Sequence, residues 1–160
     1  MNVKILDSGS NAIFTLQNSG IFTLPLQSGV TVQLSSDQSI PGIATKLLYN
    51  TVVGSDAQNE WDDSNYRFVV TQAGIYLIGN IIRWASAFSS GELAVASIYR
   101  AGSALAETRL AWARADANPS QAITIRYPLS VDDYIEFYAY VSSTETVDAD
   151  YSFGWLQRVA

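Results

Sequence analysis

At 160 residues and 17.4 kDa the chain can bury one substantial core and carry a small appendage, but two independent domains would fit poorly. With 48% hydrophobic, 12% aromatic and 15% charged residues, it has more apolar surface than a monomer of this size needs, which points to burial between chains. A net charge of −6 with no Lys/Arg cluster argues against nucleic acid, and the absence of Cys and His removes disulfide scaffolds, thiolate metal sites and the usual general base.

The N-terminal MNVKILDSGSN has one Lys and an apolar stretch too short for a signal h-region, so neither a secretory leader nor a transit peptide is expected. The only Asn-x-Ser arrangement, Asn118-Pro119-Ser120, contains the forbidden proline. Assembly in a cytoplasm is the expectation.

Residues 1–46 and 47–160 differ in composition. All nine tyrosines and all four tryptophans follow Lys46, whereas the first zone has only Phe14 and Phe22 as aromatics. The boundary is placed near SSDQSIPGIATK, where Ser, Asp, Pro41 and Gly42 interrupt any strand pattern. Within the first zone AIFTLQNSG, GIFTLPLQSG and VTVQLSSD repeat a short apolar strand followed by a polar turn. Three short strands are expected, either as an arm that packs on trimer mates or another protein, or as the first strands of a single domain.

The run RFVVTQAGIYLIGNIIRW, residues 67–84, is long enough to cross a bilayer as helix. It carries Arg67, Gln72, Gly74, Gly79, Asn80 and Arg83, so a membrane span is not expected. A break at Gln72-Ala73-Gly74 divides it into two buried strands joined by a hairpin-like corner. Apolar residues occupy both of their faces, as in strands packed between layers or against neighbouring subunits.

SALAETRLAWARADAN, residues 103–118, has helical propensity. Its period-two pattern, with Leu110 and Trp112 on one face and Arg109, Ala111 and Ala113 on the other, competes closely, and a strand is expected. SQAITIRY is a strand bounded by Pro119 and Pro128. In YIEFYAYV, Tyr134, Glu136, Tyr138 and Tyr140 alternate with Ile135, Phe137, Ala139 and Val141, the signature of a strand with one buried face.

From Tyr49 onward the chain resembles the globular head of complement C1q, within the jelly-roll family that includes tumour necrosis factor. The resemblance is carried by Asn50, the loop DAQNEWDDSNYRF, Gly74-Ile75-Tyr76, LSVDDYIEFY and the terminal SFGWLQRV. Two departures stand out: Asp132-Asp133 replaces the family's usual Gly-Asp, and Phe153-Gly154 shortens the usual spacing by one residue. The resemblance implies an all-β, ten-strand antiparallel jelly-roll sandwich that assembles as a homotrimer. It implies trimer-interface or core roles for Tyr76, Phe137, Tyr138, Tyr140 and Trp155.

Acidic groups recur at Glu60, Asp62 and Asp63, at Asp132 and Asp133, and at Asp148 and Asp150. None matches an EF-hand pattern and none suggests a desolvated acid, so no metal, cofactor or catalytic residue is assigned. Trp84, Trp112 and Trp155 are read as core or interface residues; Trp61, with Asp62 and Asp63, is a possible recognition surface.

The functional expectation is a non-enzymatic virion protein of bacteriophage type. It would be a capsid decoration or cement protein whose arm, residues 1–46, grips the major capsid protein or another virion protein through Ile13, Phe14, Ile21 and Phe22. Its head, residues 47–160, would project as a knob. The alternative is a receptor-binding fibre tip recognising a host-surface glycan or protein. Neither reading involves nucleic acid or membrane insertion.

Overall fold

The computed structural model describes residues 3–6, 8–9, 12–16, 22–23, 28–111 and 118–159, with backbone alone for 12–16 and 22–23. The described residues are all-β and antiparallel, apart from one 3-10 turn at Ala149–Tyr151.

A small sheet of order β1-β2-β3 comprises Val3–Leu6 (β1), Ala12–Leu16 (β2) and Phe22–Thr23 (β3). Short strands follow at Gly29–Gln33 (β4), Gln38–Pro41 (β5), Thr45–Lys46 (β6), Thr51–Val53 (β7), Trp61–Asp62 (β8) and Arg67–Val69 (β9). The long strands are Gly74–Arg83 (β10), Leu93–Arg100 (β11), Ser103–Ala111 (β12), Ser120–Leu129 (β13) and Tyr134–Val141 (β14). Thr144–Val147 (β15) and Phe153–Arg158 (β16) complete the set.

Two sheets enclose the core. One has the order β13-β10-β16-β4-β7; the other has β12-β11-β14-β9-β8, with β6 also against β14, and β15 pairs β5 separately. Between them lie Val32, Ile78, Ile82, Trp84 and Leu156 from one side and Phe68, Ile98, Ile135, Phe137 and Ala139 from the other, all buried. Each large apolar side chain so buried contributes roughly 1.5–3 kcal/mol. At the centre Phe137 meets Tyr49 and Phe68 edge-on, at centroid distances of 5.9 and 5.6 Å, the arrangement that ring quadrupoles favour.

The structure corrects three expectations. VTVQL, expected with the arm, forms β4 inside the five-stranded sheet, where Val30 pairs with Leu156; the change of sheet falls between Thr23 and Gly29. Strong partners far along the chain outweigh the local resemblance to the preceding repeats. The break at Gln72-Ala73-Gly74 does not make a hairpin: β9 pairs β14 and β8, whereas β10 pairs β13 and β16, so the corner crosses from one sheet to the other. Pro128 lies within β13, opposite Ile75, and does not end it. It is tolerated there because β13 is an edge strand, where a missing N–H need not break a ladder.

Ser103–Ala111 is a strand, as its alternation indicated, while residues 112–117, Trp112 among them, lie outside the described residues. In the Asp132-Asp133 turn, Asp132 adopts φ of 69°, the left-handed conformation a glycine would take without cost.

Candidate functional site

The outward face of the five-stranded sheet carries an apolar patch along β10 and β16, bordered by Arg126, Thr124, Gln157, Thr31 and Gln33 on the same face. Along β10, Tyr76, Ile78, Asn80 and Ile82 point into the core, so Ile75, Leu77, Gly79 and Ile81 point out. Ladder partners on β16 add Phe153 opposite Ile81 and Trp155 opposite Gly79. All four large neighbours of Gly79 on this face, Leu77, Ile81, Phe153 and Trp155, are half-buried in the single chain. Beside Trp155, a cleft of about 300 Å³ opens between β4, β7 and β16, lined by Ser28, Gly29, Thr31, Val53 and Gln157. Val53, on the edge strand, is 42% exposed.

A buried polar group anchors the end of this sheet. Ser28 Oγ donates to the Glu60 carboxylate at 2.7 Å, and Thr71 Oγ1 lies 3.3 Å from the same group. Tyr76 donates its hydroxyl to the Gln72 carbonyl at 2.6 Å, and burial, foremost, pushes its phenol up. Every strong contact is internal, so the arrangement fixes the β8–β10 corner without presenting a reactive group to solvent.

The loop proposed for recognition is likewise tied down. Asp56 accepts from the backbone N–H groups of Glu60 and Trp61, both at 2.8 Å. Trp61 is half-buried and packs edge-on against Phe68 at 4.8 Å. Asp62 accepts from the Asn65 amide and from Arg67 Nε; the Asn65 side chain is the main cause of its lowered pKa, burial opposes it, and Arg67 reinforces it. Of Trp61, Asp62 and Asp63, Asp63 alone is exposed.

Other expected residues divide between layers. Tyr76 and Phe137 are core residues, whereas Trp155 lies on the outer face of one sheet and Tyr138 and Tyr140 on the outer face of the other. Trp84 is fully buried, its Nε1 donating to Gln121 Oε1 at 3.2 Å. In the N-terminal sheet, Phe14 pairs with Ile5 and Phe22 with Leu16, and Ile13 lies in β2. Ile21 lies outside the described residues, as do the side chains of Ile13, Phe14 and Phe22. Sequence reasoning missed Val3, Ile5 and Leu6 of edge strand β1, whose exposures of 51%, 53% and 49% leave both faces open.

Eiger TNF from S. frugiperda superposes on this architecture with a TM-score of 0.63 at 12% identity, covering 84% of this chain and 93% of that one. The chain has a TNF/C1q-like jelly-roll fold. No protein-family model and no curated protein matches the sequence. One carboxylate of each of the pairs Asp132-Asp133 and Asp148/Asp150 is engaged in its own turn: Asp133 binds Arg100 at 2.9 Å and accepts from the Ser130 N–H, and Asp148 caps the 3-10 turn through the Asp150 N–H. Among the described residues, no group of three or more Asp/Glu side chains is arranged to hold a metal ion. No described helix is long and apolar enough to cross a membrane.

Proposed function

We propose that the chain is a non-enzymatic structural protein that assembles as a homotrimer and decorates a larger protein shell, the role of a capsid decoration or cement protein in a virion. The observation that carries this reading is the apolar patch Ile75, Leu77, Ile81, Phe153 and Trp155 on the outward face of the five-stranded sheet, with polar Arg126, Gln157 and Thr31 around it. Such a face is costly in water and is stabilised by a second chain. The cleft beside Trp155 would receive a side chain of the adjacent copy, giving a head-to-tail contact that closes after three subunits.

The N-terminal sheet supplies the anchor. Among the described residues β1 pairs with β2 alone, and its other edge, together with exposed Val3, Ile5 and Leu6, is the combination used in strand addition to another protein. Three such sheets on one trimer bind collectively, because the second and third engage at high effective concentration. The test is co-sedimentation with particles stripped of the protein. Wild type should rebind, and the full-length chain carrying Val3→Asp, Ile5→Asp and Leu6→Asp should stay in the supernatant; equal binding by both would overturn the anchoring role.

A further inference from the structure

The outer face of the six-stranded sheet contains a trough that neither the fold nor the proposed assembly uses. Strand order β12-β11-β14 and the ladder registers build it. In one row Arg109, Val95 and Tyr140 lie side by side across the three strands; in the next, Glu107, Ser97 and Tyr138 do. The central strand therefore contributes small side chains and both flanking strands contribute long ones. Floor residues Val95 and Ser97 are each only 5% exposed although they face away from the core.

Two strand spacings separate the walls, roughly 10 Å between their backbones. One end is closed by Tyr99, from the floor strand itself. The pairing of β11 with β12 shifts there, Ile98 opposing Ala106 and Tyr99 opposing Ala104, so Leu105 is an extra residue on β12. Such bulges re-aim side chains. Here Tyr99 meets the Tyr138 ring at 4.3 Å with a 32° tilt. The enclosed volume is about 290 Å³, near the lower limit for small-ligand sites.

The lining chemistry narrows the occupant. Glu107 and Arg109 carry opposite charges, so the trough favours neither an anion nor a cation. Their mutual contact, 2.9 Å, is largely exposed and therefore weak, leaving a carboxylate and a guanidinium able to exchange partners. Hydroxyls come from Ser97, Tyr99, Tyr138 and Tyr140, and broad apolar surface comes from the three phenol rings and Val95. A neutral molecule with one apolar face and a rim of hydroxyls, which both donate and accept, satisfies all of these groups together.

We infer that this trough is a carbohydrate-binding site accommodating a mono- or disaccharide, its pyranose face against the tyrosine wall and its hydroxyls bonded to Glu107, Arg109 and Ser97. The site lies on the sheet opposite the apolar patch and cleft assigned to the trimer contact. Saturation-transfer NMR on the full-length protein, with the methyl glycosides of glucose, galactose, mannose and N-acetylglucosamine as probes, tests it. At least one glycoside should bind with millimolar affinity, and Tyr138→Ala and Arg109→Ala should each weaken it about tenfold. Arg109 is a surface residue, so its variant decides the matter even if Tyr138→Ala fails to fold. Absence of transfer from all four glycosides at high millimolar concentration, or binding unchanged in Arg109→Ala, would overturn the assignment.

Discussion

Trp155 lies over Gly79 of the neighbouring strand: a β-carbon on Gly79 would fall 1.9 Å from Cζ2 of the indole. One residue along the same ladder, Gly154 faces inward opposite Asn80, and a β-carbon there would fall 2.6 Å from the Phe137 ring. The two glycines thus make room for aromatic rings on opposite faces of one sheet. Alanine should have unequal effects at the two positions. Within one subunit the half-exposed indole can swing outward from an alanine at Gly79 at a cost of about 1 kcal/mol to the fold, the proposed trimer contact being weakened as well, whereas at Gly154 the ring is held between Tyr49 and Phe68 and the cost to the subunit itself should approach about 3 kcal/mol. Urea midpoints of the two variants check this; equal losses would contradict the packing described.

Tyr49 donates its hydroxyl to Asn80 Oδ1 at 2.7 Å in the centre of the sandwich, both residues being fully buried. Burial pushes the Tyr49 phenol up, so it remains a donor at any ordinary pH. Tyr49→Phe should cost about 1–3 kcal/mol by leaving the amide oxygen without that donor. Adding Asn80→Leu should recover part of the loss, since removing both partners is cheaper than removing one. A double-mutant cycle by chemical denaturation measures the coupling.

Asp133 ties the β13–β14 turn to β11. Burial raises its pKa, but the Ser130 N–H and the Arg100 guanidinium outweigh burial and hold it below the ordinary aspartate value of 3.8; Asp62 is displaced in the same direction. A carboxylate depressed in the folded state stabilises the fold above its unfolded pKa, and that stability is lost as pH falls through the folded value. Thermal stability should therefore be nearly constant from about pH 7 to 5 and fall below about pH 4. Asp133→Asn should start less stable at neutral pH and show a shallower acid decline, measured by melting curves across this range.

Local pattern was enough to read the strands, but the partners of several were hidden. The alternation in YIEFYAYV was legible because one face of that strand meets the core, whereas in residues 103–111 only Leu105 and Ala106 pack against it, which is why helix competed there. The apolar residues on both faces of IYLIGNIIR suggested packing between layers or against neighbouring subunits; in the structure one set faces the core and Leu77 and Ile81 face outward, half-buried. VTVQL was misplaced because its sequence resembles the preceding repeats while its partner, Phe153–Arg158, lies at the other end of the chain. The tyrosine trough was equally hidden, because small Val95 and Ser97 become a floor only when β12 and β14 flank β11. For Trp61 the polar loop left recognition and packing both open; in the structure Asp56 holds its backbone N–H and the half-buried indole packs against Phe68.

The mass of the full-length protein in solution, by sedimentation equilibrium or light scattering, tests the proposed assembly most directly. The wild-type protein should have three times the 17.4 kDa chain mass, and Trp155→Glu should reduce it to the chain mass while keeping the β-sheet circular dichroism spectrum. A wild-type monomer, or a trimer unchanged by Trp155→Glu, would contradict assembly through the outward face of the five-stranded sheet.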